Sequence, residues 1–512
     1  MSIAKAYSAQ LLGLHSEIIS IEVDISNGLN AFSVVGLGDR AVEEAKDRIA
    51  AAIKNSGYIS PKQKNQKVVI SLAPADIRKE GPSFDLPMAI AYLAAAGEIG
   101  LDPDGKLFLG ELSLEGNVRK VSGLLPILCQ APSHGYTQAF IPDGNKKEAS
   151  LARGIAIYPV SSLQDIISHL MHHKNIEPLK ADKTTIEPLP RSLHPQMDMS
   201  IVRGNEAAKR GLEIAAAGAH NIIMCGPPGT GKTMLAQCFS SILPALSYEQ
   251  SVEVTGIHSA ARILGSGLMT APPFRAPHHT ASYPSIVGGG GFPKPGEITL
   301  AHRGVLFMDE FPEFDRSVIE ALRQPLEDRY ITISRARAAI TFPAQFILIA
   351  SMNPCPCGKG KDNGCTCSER AIEAYRRKMS GPIMDRLDIW LNVNKIDYAK
   401  LAAKTVVAET SDMIRERVVA TRAIQSKRYG KYHPAEEQKY FNAEMNAQDI
   451  ERMVVMHDKA RHMLGLSAER FGLSGRAFHR VIKVAQTIAD LAKKDMILEE
   501  HILEALQYRQ KL

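Results

Sequence analysis

The sequence predicts an α/β fold in three parts, and three observations carry that expectation. Strand-like and helix-like text alternates twice along the chain, a proline-rich stretch separates the two runs, and the tail reads as helix. In the first run, HSEIISIEVDI and QKVVISLAP are β-branched strand text, while RAVEEAKDRIAAAIKNSG has helical spacing and stops at a glycine. This run spans 1–171 and is expected to form an α+β domain. HHKNIEPLKADKTTIEPLPRSLHP carries Pro178, Pro188, Pro190 and Pro195 with little apolar periodicity, so 172–198 reads as an extended linker. Strands and helices alternate again around glycine-rich loops over 199–395. The remainder, 396–512, is glycine-poor outside Gly430 and the stretch from Gly465 to Gly475 and reads as helical.

A chain of 512 residues is long enough for several domains, each with its own core. Its composition, 45% hydrophobic and 23% charged, is that of a globular protein in water. The longest apolar run, from Leu86 to Gly97, is too short to cross a bilayer and ends at Glu98. The N-terminal MSIAKAYSAQLLGLHSEI lacks the sustained apolar block of a secretory signal, so a cytoplasmic location without a membrane partner is expected. A formal charge of +6 permits a nucleic-acid partner without requiring one. Seven cysteines, four of them between Cys355 and Cys367, do not read as a disulfide framework in a chain this large.

The second run carries the chemistry. Gly226, Pro227, Pro228, Gly229, Thr230, Gly231, Lys232 and Thr233, followed by Met234, form a complete G-x-x-x-x-G-K-T between an apolar strand, Ile222 to Cys225, and a helix starting near Lys232. Glycines let the backbone N–H groups curl around phosphate oxygens, and the helix N-terminus adds partial positive charge. Lys232 is expected to reach the β- and γ-phosphates of ATP and Thr233 to hold Mg²⁺. Downstream, GVLFMDEF is a buried-strand run ending in Asp309 and Glu310. Beside a phosphate loop, Asp309 would order the Mg²⁺ shell and Glu310 polarise the attacking water. A third strand, FILIASMN, ends at Asn353, suited to orient water or γ-phosphate. A rival glycine turn, Gly36-Leu37-Gly38, lacks the acidic residue that a dinucleotide site needs about 20 positions further on, since none lies between Asp47 and Asp76. It reads as a tight strand-to-helix turn.

GPPGTGKTMLA, LAHRGVLFMDE, LRQPLEDR, ASMNPCPCG and SGPIMDRLD together resemble the magnesium-chelatase-like AAA+ ATPases of the ComM (YifB) type, over essentially the whole chain. The resemblance implies an AAA+ P-loop core at 199–395, a helical lid at 396–512, and a homo-oligomeric, hexameric ring with ATP between subunits. It implies ATP hydrolysis with Mg²⁺, and helicase or branch-migration activity on single-stranded or branched DNA during recombination, including natural transformation. Arg386, in MDRLD, corresponds to an arginine finger reaching the neighbour's site, and Arg476, in LSGRAFHRVIKVA, to the second sensor. Rival readings are a motor that remodels a protein partner, as chelatase motor subunits do, and an ATP-dependent protease.

YITISRARAAITFP reads as two strands joined through Ser334-Arg335-Ala336-Arg337. Arg335 and Arg337 at the tip either face solvent or grip DNA phosphates, and the resemblance favours the second. The long Gly/Pro-rich insertion APPFRAPHHTASYPSIVGGGGFPKPGEITL offers Arg275 and Lys294 as further DNA contacts. His278 and His279 within it are adjacent, so their side chains are expected to diverge. Cys355, Cys357, Cys365 and Cys367 supply four thiolates in one loop, enough for a tetrahedral zinc or iron site, with four reduced thiols as the alternative.

Residues 1–171 also resemble the Lon-protease domain, a ribosomal S5 domain-2-like fold. KEGPSFDLPMAIA matches the segment holding that family's catalytic serine, placing Ser83 there. GELSLEGNVRKVSGLLPILCQA matches the segment holding its lysine, but Leu125 occupies that position. An aliphatic side chain accepts no proton, so Ser83 is expected to be inert and to cap the helix that follows.

Overall fold

The computed structural model describes the chain apart from residues 1–2, 13–14, 37, 39, 76, 78, 80, 180–196, 262, 264–267, 291–293, 336–337, 361–363, 380, 396–408, 433–440 and 510–512. The middle of the expected linker, and Arg337, therefore lie outside the described residues. The chain divides into two compact units, Met1–Pro188 with Tyr248–Met269, and Leu189–Ser247 with Thr270–Leu512.

The first unit is built on a seven-stranded mixed sheet. Its spatial order is Ala31–Val35, Gln66–Ala73, His15–Asn27, Ala4–Leu12, Lys106–Phe108, Gln138–Pro142 and Ala156–Val160. Alternating burial along Gln66–Ala73 is the period-two pattern of a strand with one covered face. Val42, Ala45, Ile49 and Ile53 of the helix Arg40–Asn55 join Ile21, Val23, Val68 and Ile70 in one core. A second core gathers Leu124, Leu125 and Leu128 of the helix Leu124–Gln130 with Leu107, Leu109 and Ile141.

Against Leu124–Gln130 lies the helix Tyr248–Ala260, although in sequence it falls within 199–395. A Cβ on Gly256 would stand 2.8 Å from Pro126 Cγ, so the two helices approach closely. Ser259 Oγ accepts the Gly123 N–H at 3.0 Å and donates to Glu148 Oε1 at 2.8 Å. Glu148 Oε1 also accepts the Leu125 N–H at 3.2 Å. These contacts explain why Tyr248–Met269 belongs to the first unit.

Ser83 lies in the 3-10 turn Pro82–Phe84, and its side chain does not cap the helix Asp85–Ala95, whose cap residue is Phe84. The group that secures that helix start is instead buried Asp85, which takes Arg48 in a fork (2.8 and 3.0 Å) and the Leu112 N–H (3.2 Å). Leu125 is fully buried.

The second unit holds a five-stranded parallel sheet in the order Phe274–Arg275, Val305–Met308, Ile347–Met352, Ile222–Cys225 and Ile389–Asn392. Fully buried apolar strands of this kind are covered on both faces. On one face, Ile222, Met224, Ile389 and Leu391 pack with Val418, Val484, Ile488 and Ile502. The helices Ser411–Tyr432, Gly475–Leu491 and Glu499–Gln507 thus share the core of the sheet. Arg422 donates twice to the Ala216 carbonyl (3.0 and 2.7 Å), placing a cation where the helix Glu206–Gly218 ends. Among the described residues no helix is long and apolar enough to cross a membrane.

Candidate nucleotide site

The C-terminal ends of three neighbouring strands meet where an open α/β sheet binds its ligands. The first, Ile222–Cys225, leads into the phosphate loop, and the helix Lys232–Ile242 leaves it. A Cβ on Gly226 would fall 2.1 Å from the Val393 carbonyl oxygen, and Gly231 takes φ 87, so neither position accepts a larger residue without strain. Thr230 Oγ1 donates to the Pro227 carbonyl at 2.9 Å and closes the turn.

Lys232 is buried, with Nζ donating to the carbonyls of Gly226 (2.6 Å) and Pro227 (3.0 Å) and to Asn353 Oδ1 (3.3 Å). Burial holds its pKa below the ordinary lysine value, against the opposing pull of Asp309 and Glu310. Thr233 Oγ1 donates to Asp309 Oδ2 at 2.9 Å. The other Asp309 oxygen accepts the Glu310 N–H at 3.0 Å and the Ser351 hydroxyl. Glu310 itself adopts φ 52, a left-handed backbone that costs a non-glycine residue about 1–3 kcal/mol and recurs at functional sites. A cavity of about 450 Å³ is lined by Pro228–Met234, Asp309, Glu310, Ser351, Met352 and Asn353. The structure therefore brings together the loop, both acids and Asn353, as their spacing predicts. Ser351 and His279, whose Nδ1 stands 3.2 Å from Glu310 Oε2, are additions that no local signal announces.

Arg386 and Arg476 do not line this cavity. Both line a second one, of about 670 Å³, together with Arg329, Arg480 and Lys483. Arg386 is held there, donating through Nη1 to the Pro382 carbonyl at 2.6 Å and through Nη2 to Glu327. The Arg386 guanidinium beside it, with Arg476 further off, holds the Glu327 carboxyl below its usual range. Asp388, which also lines the cavity, is buried. Burial alone would raise its pKa, but His220 (3.4 Å) and Arg480 (3.4 Å) outweigh that and hold it well below the ordinary value.

The four cysteines converge. Their sulfurs all lie within 4.8 Å of one another, with Cys355 to Cys357 at 3.3 Å, Cys355 to Cys365 at 3.4 Å and Cys357 to Cys365 at 3.6 Å. Tetrahedral zinc bound at about 2.3 Å to each sulfur sets them roughly 3.8 Å apart, so the set fits that ion with small adjustment. The Gly360 N–H reaches Cys355 Sγ at 3.3 Å and the Cys367 N–H reaches Cys365 Sγ at 3.4 Å, as donors to a thiolate would. The cysteine loop also abuts the phosphate loop, since a Cβ on Gly358 would stand 3.0 Å from Pro228 Cδ.

Tyr330–Arg335 and Ala338–Pro343 form the expected antiparallel hairpin, with Arg335 paired to Ala338 next to the tip. Lys294 is exposed on a second small hairpin, Gly288–Gly289 with Lys294–Pro295. The Arg275 fork is engaged by Glu297 at 2.6 and 2.7 Å, which ties down the root of the insertion. His278 and His279 do not diverge. Their rings lie 4.2 Å apart, because Thr280 bonds back to His278 and turns the chain.

Comparisons with known proteins point first to a class. The family model described as magnesium chelatase, subunit ChlI, matches residues 198–401, that described as subunit ChlI of Mg-chelatase matches 21–145, and that for the ChlI C-terminal region matches 408–509. Competence protein ComM of Haemophilus influenzae is 40% identical over 511 residues, covering 99% of this chain and 98% of that relative. YifB of Escherichia coli is likewise 40% identical, over 99% of this chain and 97% of the relative. A more distant similarity, 25% identical over 248 residues, joins 46% of this chain to 23% of the DNA replication licensing factor mcm2 of Xenopus laevis. The chain belongs to the magnesium-chelatase-like ComM family.

Proposed function

We propose that this chain is an AAA+ ATPase that assembles into a cytoplasmic homo-oligomeric ring, a hexamer, and uses ATP hydrolysis to drive helicase or branch-migration work on DNA. The observation that carries the reading is the division of the catalytic groups. Phosphate loop, acids and Asn353 line one cavity, while Arg386 and Arg476 line another that contains none of them. An arginine beside the transferring phosphoryl accelerates such a reaction, so a second copy would supply the arginines.

Within one copy, the loop N–H groups and Lys232 receive the phosphates, Lys232 exchanging its carbonyl partners for phosphate oxygens. Thr233 and Asp309, already 2.9 Å apart, form an oxygen pair suited to Mg²⁺, which would neutralise charge on the β- and γ-phosphates. Glu310 takes the proton of the attacking water and Asn353 orients it. Arg386 of the neighbour gives up Glu327 and stabilises the transferring phosphoryl, with Arg476 beside it.

DNA as the moved polymer is supported by the hairpin whose sequence carries Arg335 and Arg337, by Lys294, and by relatives named for competence and DNA replication licensing. Arg275 contributes by fixing the insertion. We further assign Zn²⁺ to the four cysteines on the strength of their spacing. The deciding experiment measures ATP hydrolysis and particle size with single-stranded DNA, branched DNA or casein added. Stimulation by DNA with formation of a large particle is expected. Stimulation by casein alone would overturn the reading in favour of a protein-remodelling or proteolytic machine.

A further inference from the structure

The carboxylate of Glu310 has a partner that the proposed chemistry does not use. His279 Nδ1 stands 3.2 Å from Glu310 Oε2. The Glu310 side chain is 53% exposed, so packing alone does not hold it in one rotamer. The imidazole, by contrast, is braced. Its ring lies 4.2 Å from that of His278, tilted by 33°, and meets Phe314 edge-on at 6.5 Å. Phe314 is buried and lies four residues after Glu310, just beyond the turn Phe311–Glu313 that Glu310 begins. Upstream, the Phe274–Arg275 strand pairs with Val305–Met308, the same strand that delivers Glu310. Downstream, the helix Tyr283–Val287 buries Ile286 and Val287. Histidine and carboxylate are thus carried by two segments registered on one strand.

We infer that His279 is a positioning residue for ATP hydrolysis. Its Nδ1–H donates to Glu310 Oε2 and fixes the carboxylate, leaving Oε1 to accept the proton of the attacking water. The inference rests on the reading of Glu310 as the base. His279 also ties that base to the insertion carrying Lys294, so a ligand that shifts the insertion shifts the carboxylate.

The test is steady-state ATP hydrolysis by the full chain, with and without a single-stranded oligonucleotide, for His279→Ala, His279→Asn and Glu310→Gln. Binding of a fluorescent ATP analogue and thermal melting accompany it. His279→Ala is expected to lower kcat on the order of 10–100-fold, the scale of a misplaced catalytic group, with nucleotide affinity and melting temperature held. His279→Asn, whose amide N–H can take the place of Nδ1–H, is expected to recover most of the loss, which a purely packing role for the ring would not allow. Unchanged or raised kcat in His279→Ala, alongside a dead Glu310→Gln, overturns the inference alone. Undiminished turnover in Glu310→Gln removes the base and the inference with it.

Discussion

Glu310 concentrates the residue-scale argument. It follows a buried strand, sits in a left-handed backbone and faces the phosphate-loop cavity beside Asp309. Glu310→Gln keeps the shape and removes the proposed base. ATP binding is therefore expected to persist while turnover falls by about 100-fold or more, checked by nucleotide titration and phosphate release. Retained turnover would remove Glu310 from the chemistry. The loop, Lys232, Thr233, Asp309 and Glu310 are legible in the sequence because their chemistry is written locally, as a strand, a glycine turn and a helix, then a strand ending in acids. Ser351 and His279 are not legible, because a lone serine in a strand and a histidine pair in an insertion acquire meaning only when distant segments meet.

At the scale of elements, the cysteine loop and the C-terminal helices each carry a prediction. Protein purified without chelators is expected to hold one zinc per chain, and Cys355→Ser to lose it. Loss of the ion is also expected to weaken nucleotide binding, because the loop abuts Pro228 and follows Asn353. Metal analysis that finds no zinc would end that assignment.

The second prediction concerns His501 in the helix Glu499–Gln507. It is enclosed, and its Nδ1 accepts the Leu498 N–H at 3.0 Å. Burial, opposed by Glu500 and Glu504, holds its pKa below the ordinary 6.5. A depressed histidine contributes stability that is complete above the unfolded value and is lost as pH falls through the folded one. The melting temperature is therefore expected to drop between pH 7.5 and pH 5 by a few degrees more in the wild type than in His501→Asn. Equal slopes would contradict it. Helical text in this region was legible from spacing. That these helices share a core with the sheet was not, since their apolar stripes do not say which surface they cover.

At the scale of the whole molecule, the proposed function turns the separation of Arg386 from the phosphate loop into a requirement for pairs of copies. Arg386→Ala and Glu310→Gln are each expected to abolish hydrolysis alone. Mixed, they are expected to recover part of it, because an intact loop on one copy can then meet an intact arginine on the next. Absence of recovery in a confirmed mixed assembly would argue against supply by a neighbour. The sequence marked its three regions by composition, but it could not reveal that Tyr248–Met269 departs from the second to complete the first. That excursion looks like any other helix in a linear reading, and its destination is disclosed by contacts such as Gly256 against Pro126 and Ser259 between Gly123 and Glu148.

This excursion sets a timetable for biosynthesis. The first third or so of the chain emerges from the ribosome lacking one of its own helices, in a segment that is complete only at Met269, roughly 80 residues after Pro188. At translation speeds of about 5–20 residues per second, the wait lasts on the order of 4–16 s. Throughout it, the apolar side chains around Pro126 stand uncovered, a window in which a nascent-chain chaperone has a surface to shield.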